Sequence, residues 1–158
     1  MRSILRGIVF VMGIAAAQPH GETDRPAIDA VVVRFMEAWN QHDAHALAAL
    51  FAEDADFTNV MGMHVTGQKA VEAHHAPLFT GPVFKNSHLA CKLRSVRFLK
   101  PDIAMVDVDW DMTGAATLDG VVRPPRKGLI DLAMARDGGQ WRIAVMHNSD
   151  FTAPAPGR

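Results

Sequence analysis

The sequence predicts an α+β protein with a cone-shaped fold, in which three N-terminal helices pack on a curved antiparallel sheet. Apolar residues recur at helical spacing over residues 26–40. A break at His42-Asp43, a second short helix, an acidic turn and a strand follow. After Gly81-Pro82 the apolar residues recur at every second position, as they do in strands. Helices first and antiparallel strands last are typical of the α+β class.

Three helices are expected. The first is predicted to begin near Pro26, with Asp24 or Thr23 as its cap. Asp43 is placed to cap the second helix, and the third is predicted over residues 68–79, with an irregular last turn at Pro77. The apolar stripe of the first helix comprises Ala27, Val31, Val32, Phe35, Met36 and Trp39.

Two short strands, over residues 57–60 and 64–66, are predicted before the third helix. Four long strands, roughly over residues 88–99, 103–113, 126–136 and 140–151, are predicted after it. The second long strand alternates apolar residues with Asp107, Asp109 and Asp111. Carboxylates at i and i+2 lie about 7 Å apart and do not converge on one ion. We therefore expect the aspartates on the outer face, paired with basic residues of neighbouring strands.

The N-terminus has the layout of a secretory signal peptide. Residues 1–6 are basic, residues 7–17 are apolar, and three alanines precede Gln18. A membrane anchor is the alternative, but 11 apolar residues are too few to span roughly 30 Å of hydrocarbon. We expect cleavage after Ala17, a secreted or periplasmic protein, and no membrane association afterwards. Residues 18–25 and 152–158 are interpreted as flexible, and residues 26–151 as the domain.

The composition excludes some partners and cross-links. The chain has 16 basic and 17 acidic residues, and cleavage would remove Arg2 and Arg6 from the basic side. No basic run remains, so nucleic-acid binding is not expected. Cys91 is the only cysteine, which rules out an intrachain disulfide; its place in a predicted strand favours burial.

Three segments carry a resemblance to a known family. Residues 137–144, followed by His147-Asn148-Ser149, resemble the last hairpin of the nuclear transport factor 2-like superfamily. The two-helix start, through residues 51–57, resembles the usual beginning of the family, and residues 67–72 resemble the beginning of its third helix. Within the superfamily the chain looks most like the SnoaL-like proteins, in particular the group named after SgcJ and EcaC, over residues 26–151. The resemblance implies the cone fold and a homodimer formed through the outer face of the sheet.

The superfamily includes isomerases, dehydratases, cyclases, binding proteins and oligomerisation modules, so the resemblance does not name a function. Ketosteroid isomerase can be compared residue by residue. Asn59 stands where its general base is an aspartate, and an amide cannot accept a proton at useful pH. The chain has no tyrosine to serve as its oxyanion donor. Asp131 lies near the place of its late-strand aspartate. We therefore exclude steroid isomerisation by that mechanism.

Candidate site residues follow from the expected faces of the elements. His75 lies one helical turn after Val71 and is expected to reach a pocket. His147 shares strand parity with Trp141. If the protein is an enzyme, His75 and His147 are the acid and base candidates and Asn59 is a polar clamp. The predicted substrate-binding surface consists of Trp39, Phe57, Asn59, Trp110 and Met112, for which an ordinary core is the alternative.

No metal or other cofactor is predicted. His64, His75, His88 and His147 are the histidines that could contribute to a zinc site, but no short-spaced histidine pair supports one. Two functions remain open. The first is a protein that binds a small apolar or polyketide-like molecule and, as an enzyme, converts it. The second is a non-catalytic ligand-binding or homo-oligomerisation module.

Overall fold

The structure is a computed structural model that describes residues 20–151. The predicted signal peptide (1–17) and tail (152–158) lie outside the described residues. Within residues 20–151, no helix is long and apolar enough to cross a membrane. In chain order the elements are α1 (His20–Asn40), α2 (Ala44–Ala48), β1 (Phe51–Thr58), β2 (His64–Thr66), α3 (Gln68–Thr80), β3 (His88–Lys100), β4 (Ile103–Thr113), β5 (Arg126–Asp137) and β6 (Gln140–Asp150).

The six strands form one mixed sheet in the order β2-β1-β6-β5-β4-β3. The α+β class is confirmed, but the prediction of an antiparallel sheet is wrong at one place, because β1 pairs in parallel with β6. These two strands are the most distant long strands in the sequence, and alternation within a strand carries no information about its partner. Only α1 and α2 precede the sheet, since α3 follows β1 and β2.

Helix α1 begins at His20, six residues before the predicted start at Pro26. Residues 20–25 of the segment interpreted as flexible are therefore helical. Asp24 explains part of this extension, because its carboxylate accepts hydrogen bonds from Arg136 Nη1 at 3.0 and 3.1 Å. The Asp24–Arg136 ion pair thus joins the first turns of α1 to the end of β5.

The break between α1 and α2 is confirmed. His42 adopts a positive φ of 54°, and its Nε2 donates to the Phe84 carbonyl at 2.8 Å. Asp43 caps α2 as expected, since its Oδ1 accepts the Ala46 N–H at 2.8 Å. The short α2 thus begins at a fixed angle to α1 and buries Leu47 against the core.

Most of the expected core faces are confirmed. Val31, Val32, Phe35 and Trp39 of α1 are buried, whereas Ile28 replaces the exposed Ala27 in the stripe. On the outer face of the sheet, Asp109 pairs with Arg94 and Asp107 accepts from Ser95. The buried face of β4 consists of Ala104, Val106, Val108, Trp110 and Met112.

The end of α1 is joined to β3, an edge strand of the sheet, by side-chain hydrogen bonds. The Asn40 amide donates to the Leu89 carbonyl at 2.9 Å and accepts the Leu89 N–H at 2.7 Å. The Cys91 N–H points to Met36 Sδ at 3.4 Å. Both edge N–H groups are thereby satisfied by the helix instead of by another strand. Burial raises the pKa of the Cys91 thiol to about 12, which makes it a poor nucleophile.

Asn40→Ala should lower the free energy of unfolding by about 1–3 kcal/mol, because it leaves the part-buried N–H and C=O of Leu89 without partners. Urea unfolding followed by tryptophan fluorescence measures this loss. Gln41→Ala, one residue further on an exposed position, is the control and should change stability by less than about 0.5 kcal/mol. Equal effects of the two substitutions would contradict the proposed role of Asn40.

Candidate active site and ligand cavity

A cavity of about 300 Å³ lies between the helices and the sheet. Its volume is at the lower end of the range for small-molecule sites. Its wall is mainly apolar and aromatic, with a few amide, imidazole and guanidinium groups. No Asp or Glu of the described residues lines it. The lining residues are Phe35, Trp39, Phe57, Asn59, Val60, Met61, His74, His75, Leu78, Val83, Phe84, Leu89, Trp110, Met112, Arg123, Arg126, Ile130, Met146 and Asn148.

Trp39 is the centre of an aromatic cluster on the helical side of the cavity. Its ring makes edge contacts with Phe79 and Phe84, with centroids 5.1 and 5.5 Å apart. Its Nε1 donates to the buried Ser87 hydroxyl at 3.1 Å, which satisfies the one polar atom of the indole. The rings therefore leave an apolar wall facing the cavity.

His75 is the buried imidazole of this wall, with 2% of its surface exposed. Its Nδ1 donates to the Val71 carbonyl one turn earlier in α3, at 2.8 Å. In the neutral ring the proton therefore sits on Nδ1, and Nε2 carries a lone pair. Among the described residues, Trp141 Nε1 is the one buried side-chain polar atom without a partner. Nε2, which makes no hydrogen bond, is consequently accessible from the cavity.

Burial lowers the pKa of His75 to about 4, against the opposing effect of the Val71 hydrogen bond. Phe57 contributes to this burial, since its ring centroid lies 5.0 Å from that of His75. His74 is the next ring, 4.9 Å away, and burial lowers its pKa as well. At neutral pH the wall thus presents two uncharged imidazoles. His74 was not among the predicted site residues, although it lines the cavity.

Asn59 lies at the end of β1, in the wall of the cavity, as expected. Its Oδ1 accepts the N–H groups of Met61 and Met63 at 2.9 and 3.0 Å, which shapes the turn before β2. Its Nδ2 makes no hydrogen bond within the described residues. The amide can therefore offer a donor to a ligand while its oxygen maintains the turn.

His147, the second acid and base candidate, does not line the cavity. Ala133 pairs with Val145, but Met134 pairs with Ile143, so β6 contains one extra residue at Ala144. Such a bulge reverses the alternation of faces beyond it. His147 is exposed on the outer side, opposite Asp131.

Met146 and Asn148 occupy the cavity wall in place of His147. Asn148 Oδ1 accepts the indole N–H of Trp110 at 2.8 Å, which leaves the Asn148 Nδ2 group as a second amide donor in the wall. The bulge therefore replaces an imidazole by an amide. Neither Met146 nor Asn148 could be assigned to the cavity by counting along the strand.

The sheet side of the cavity contains an ion pair that sequence reasoning missed. Arg126 donates through Nε to Asp150 Oδ2 at 2.7 Å, and through Nη2 to the same oxygen. The Arg126 guanidinium lies over the Trp110 ring, 5.9 Å from its centroid. Trp110 can occupy this place because Gly128 has no side chain; a Cβ there would lie 2.5 Å from Trp110 Cζ2.

His75 and the five predicted substrate-binding residues line the same cavity. These five are Trp39, Phe57, Asn59, Trp110 and Met112. His64 is instead exposed at the sheet edge, near Asp56. In residues 20–151, no group of three or more His, Cys, Asp or Glu side chains is arranged to hold a metal ion.

The cone of helices on a mixed sheet, enclosing an apolar cavity, defines a nuclear transport factor 2-like protein. Residues 32–147 match the model of the SnoaL-like domain, and the chain belongs to this family. None of the curated proteins matches the sequence.

Solved structures with the same fold include proteins of several kinds. A domain of unknown function from Nostoc punctiforme, with a cystatin-like fold, is 25% identical over 83% of this chain and 79% of its own, with a TM-score of 0.73. A ketosteroid isomerase-like protein from Erwinia carotovora atroseptica is 18% identical over 82% and 98%, with a TM-score of 0.69. A type 2 hexachlorocyclohexane dehydrochlorinase is 16% identical over 88% and 93%, with a TM-score of 0.74.

The buried His75 should make stability depend on pH. Its pKa is about 4 in the folded protein and near 6.5 in an unfolded chain. Between these values the unfolded state binds a proton that the folded state does not. The free energy of unfolding should therefore fall as the pH drops from 6.5 towards 4, by about 3 kcal/mol in total.

Urea unfolding of the native protein and of His75→Gln at pH 7 and at pH 4.5 isolates this contribution, because the carboxylates contribute equally to both proteins. The native protein should lose more stability than the variant. Parallel losses would show that folding does not lower the pKa of His75.

Proposed function

We propose that the protein binds a small apolar molecule in the cavity between α1, α3 and the sheet. The observation that carries this proposal is the neutral His75 in the wall of the mainly apolar cavity of about 300 Å³. Its Nδ1 is bonded to the Val71 carbonyl, which leaves the Nε2 lone pair for a ligand. An apolar body would bury against Trp39 and Trp110. A hydroxyl or other donor on the ligand would be recognised by His75 Nε2, and a carbonyl by the amide groups of Asn59 and Asn148.

Binding can be tested with naphthalene-2-carboxamide, a flat neutral probe, by quenching of tryptophan fluorescence. Val60→Trp places a large side chain at a half-buried position of the cavity wall and should weaken binding at least tenfold. Val33→Trp makes the same change at an exposed position of α1 outside the wall and should leave binding unchanged. A probe that binds all three proteins equally would place its site outside the cavity.

Conversion of the bound molecule is a second candidate function. His75 Nε2 is a buried group of the wall that can accept a proton, as a general base in an elimination or isomerisation does. The low pKa of His75 disfavours this role, since no carboxylate of the described residues is placed to stabilise its imidazolium form. A ligand that brings its own negative charge close to the ring would reduce that cost. The dehydrochlorinase with the same fold is named for an elimination, which supports considering this chemistry.

With any substrate that the native protein turns over, His75→Gln should lower kcat by about 10²–10⁴-fold, the usual contribution of a general base. His147→Ala is the matched control, because His147 is exposed on the other side of the sheet, and it should retain activity. A small effect of His75→Gln on kcat, with a change in KM alone, would indicate a binding role instead.

We also propose that the protein is exported and forms a homodimer through the outer face of the sheet. The basic-then-apolar N-terminus supports export, and the resemblance to SnoaL-like proteins supports the dimer. Native mass spectrometry of the protein purified from its own cell envelope tests both, and would detect a co-purifying ligand. The expected mass is that of two chains without residues 1–17. Retention of Met1 would refute cleavage, and a single-chain mass would refute the dimer.

A further inference from the structure

Two arginines distinguish the sheet side of the cavity from the aromatic helical side. Arg123 and Arg126 both line the cavity and are separated in sequence by Pro124 and Pro125. Prolines fix φ near −65°, so the connection between the two arginines is stiff. Arg123 is exposed and Arg126 is half-buried where they line the cavity.

The charges of this pair are unequally balanced. Arg126 forms an ion pair with Asp150. The Asp150 side chain is only 2% exposed, and the Arg126 side chain is 17% exposed. Its Nε and Nη2 are directed to Asp150, whereas Nη1 makes no hydrogen bond within the described residues. Arg123 forms no ion pair with any described residue. Since no Asp or Glu lines the cavity, the wall carries an excess of positive charge.

We propose that the ligand is an anion: an apolar, flat molecule with a carboxylate or similar oxyanion that Arg123 and Arg126 bind. This inference rests on the proposed ligand-binding function and specifies its substrate class. The anionic group would accept hydrogen bonds from Arg126 Nη1 and Arg123, which are stronger than those of a neutral group. Trp110, beneath the Arg126 guanidinium, would contact the apolar body next to the anionic group.

The test compares two probes of nearly the same shape, naphthalene-2-carboxylate and naphthalene-2-carboxamide, at pH 7.5 and low salt. The native protein should bind the carboxylate on the order of tenfold more tightly, and added salt should reduce this preference. Arg123→Gln should remove most of the preference without weakening the carboxamide. Arg97→Gln makes the same change of net charge on an exposed position of β3 outside the cavity, and should leave the preference intact.

Arg126→Gln alone would remove the ion pair of the buried Asp150, so the second variant is Arg126→Gln combined with Asp150→Asn. It should also lower the preference for the carboxylate. Equal affinities of the two probes for the native protein, or a preference that persists in both arginine variants, would overturn the anionic assignment. If the carboxamide binds in the cavity but the carboxylate gains nothing, this inference alone fails. If neither probe binds, the proposed function fails with it.

Discussion

The pair of hydrogen bonds between Asn40 and the backbone of Leu89 fixes the distance between the helical layer and the sheet. Asn40 is the last residue of α1 and Leu89 is the second residue of β3, so the contact joins the end of the helix to the start of the strand. Trp39, next to Asn40, is held by Ser87 in the same region. The aromatic wall of the cavity therefore depends on a polar contact at its margin. Without it, α1 would lose a polar contact with the edge of the sheet, and hydrophobic packing would favour a smaller apolar space between α1 and β4.

The part of the fold that local pattern determines was predictable from the sequence. Because one side of each element is buried, apolar residues recur at every second position in β4 and about every 3.6 residues in α1. Both spacings can be recognised in the sequence. Three features were not predictable. The parallel pairing of β1 with β6 joins strands far apart in the chain, and the bulge at Ala144 adds a residue without changing the apolar pattern around it. The start of α1 was also misplaced, because its first turns are stabilised by a distant arginine, Arg136.

The site shows the same division. Trp39, Phe57, Asn59, Trp110 and Met112 line the cavity. Trp39, Trp110 and Met112 could be assigned to that side because each continues the regular apolar face of α1 or β4. Arg123 and Arg126 were missed, since a basic residue in a Gly- and Pro-rich connection is usually solvated. The chemistry of His75 could not be read from the sequence either. Its neutral state and its free nitrogen follow from burial and from one backbone hydrogen bond. The neutral state and the free nitrogen favour a role for His75 as a hydrogen-bond acceptor over a role as a strong base. His147, the second histidine of the predicted catalytic pair, does not line the cavity.

The extra residue in β6 has a consequence for comparing this protein with its relatives. Beyond Ala144, a relative that lacks the bulge would present to its cavity the residues that this chain presents to the outer face. Aligning such a pair without a gap at Ala144 would equate an amide of one cavity with a surface histidine of the other. Insertion or deletion of one residue can thus change which side chains of the strand face the cavity, while all the other residues of the strand stay the same. A one-residue insertion in β6 can therefore change the specificity of such a cavity, as a substitution can.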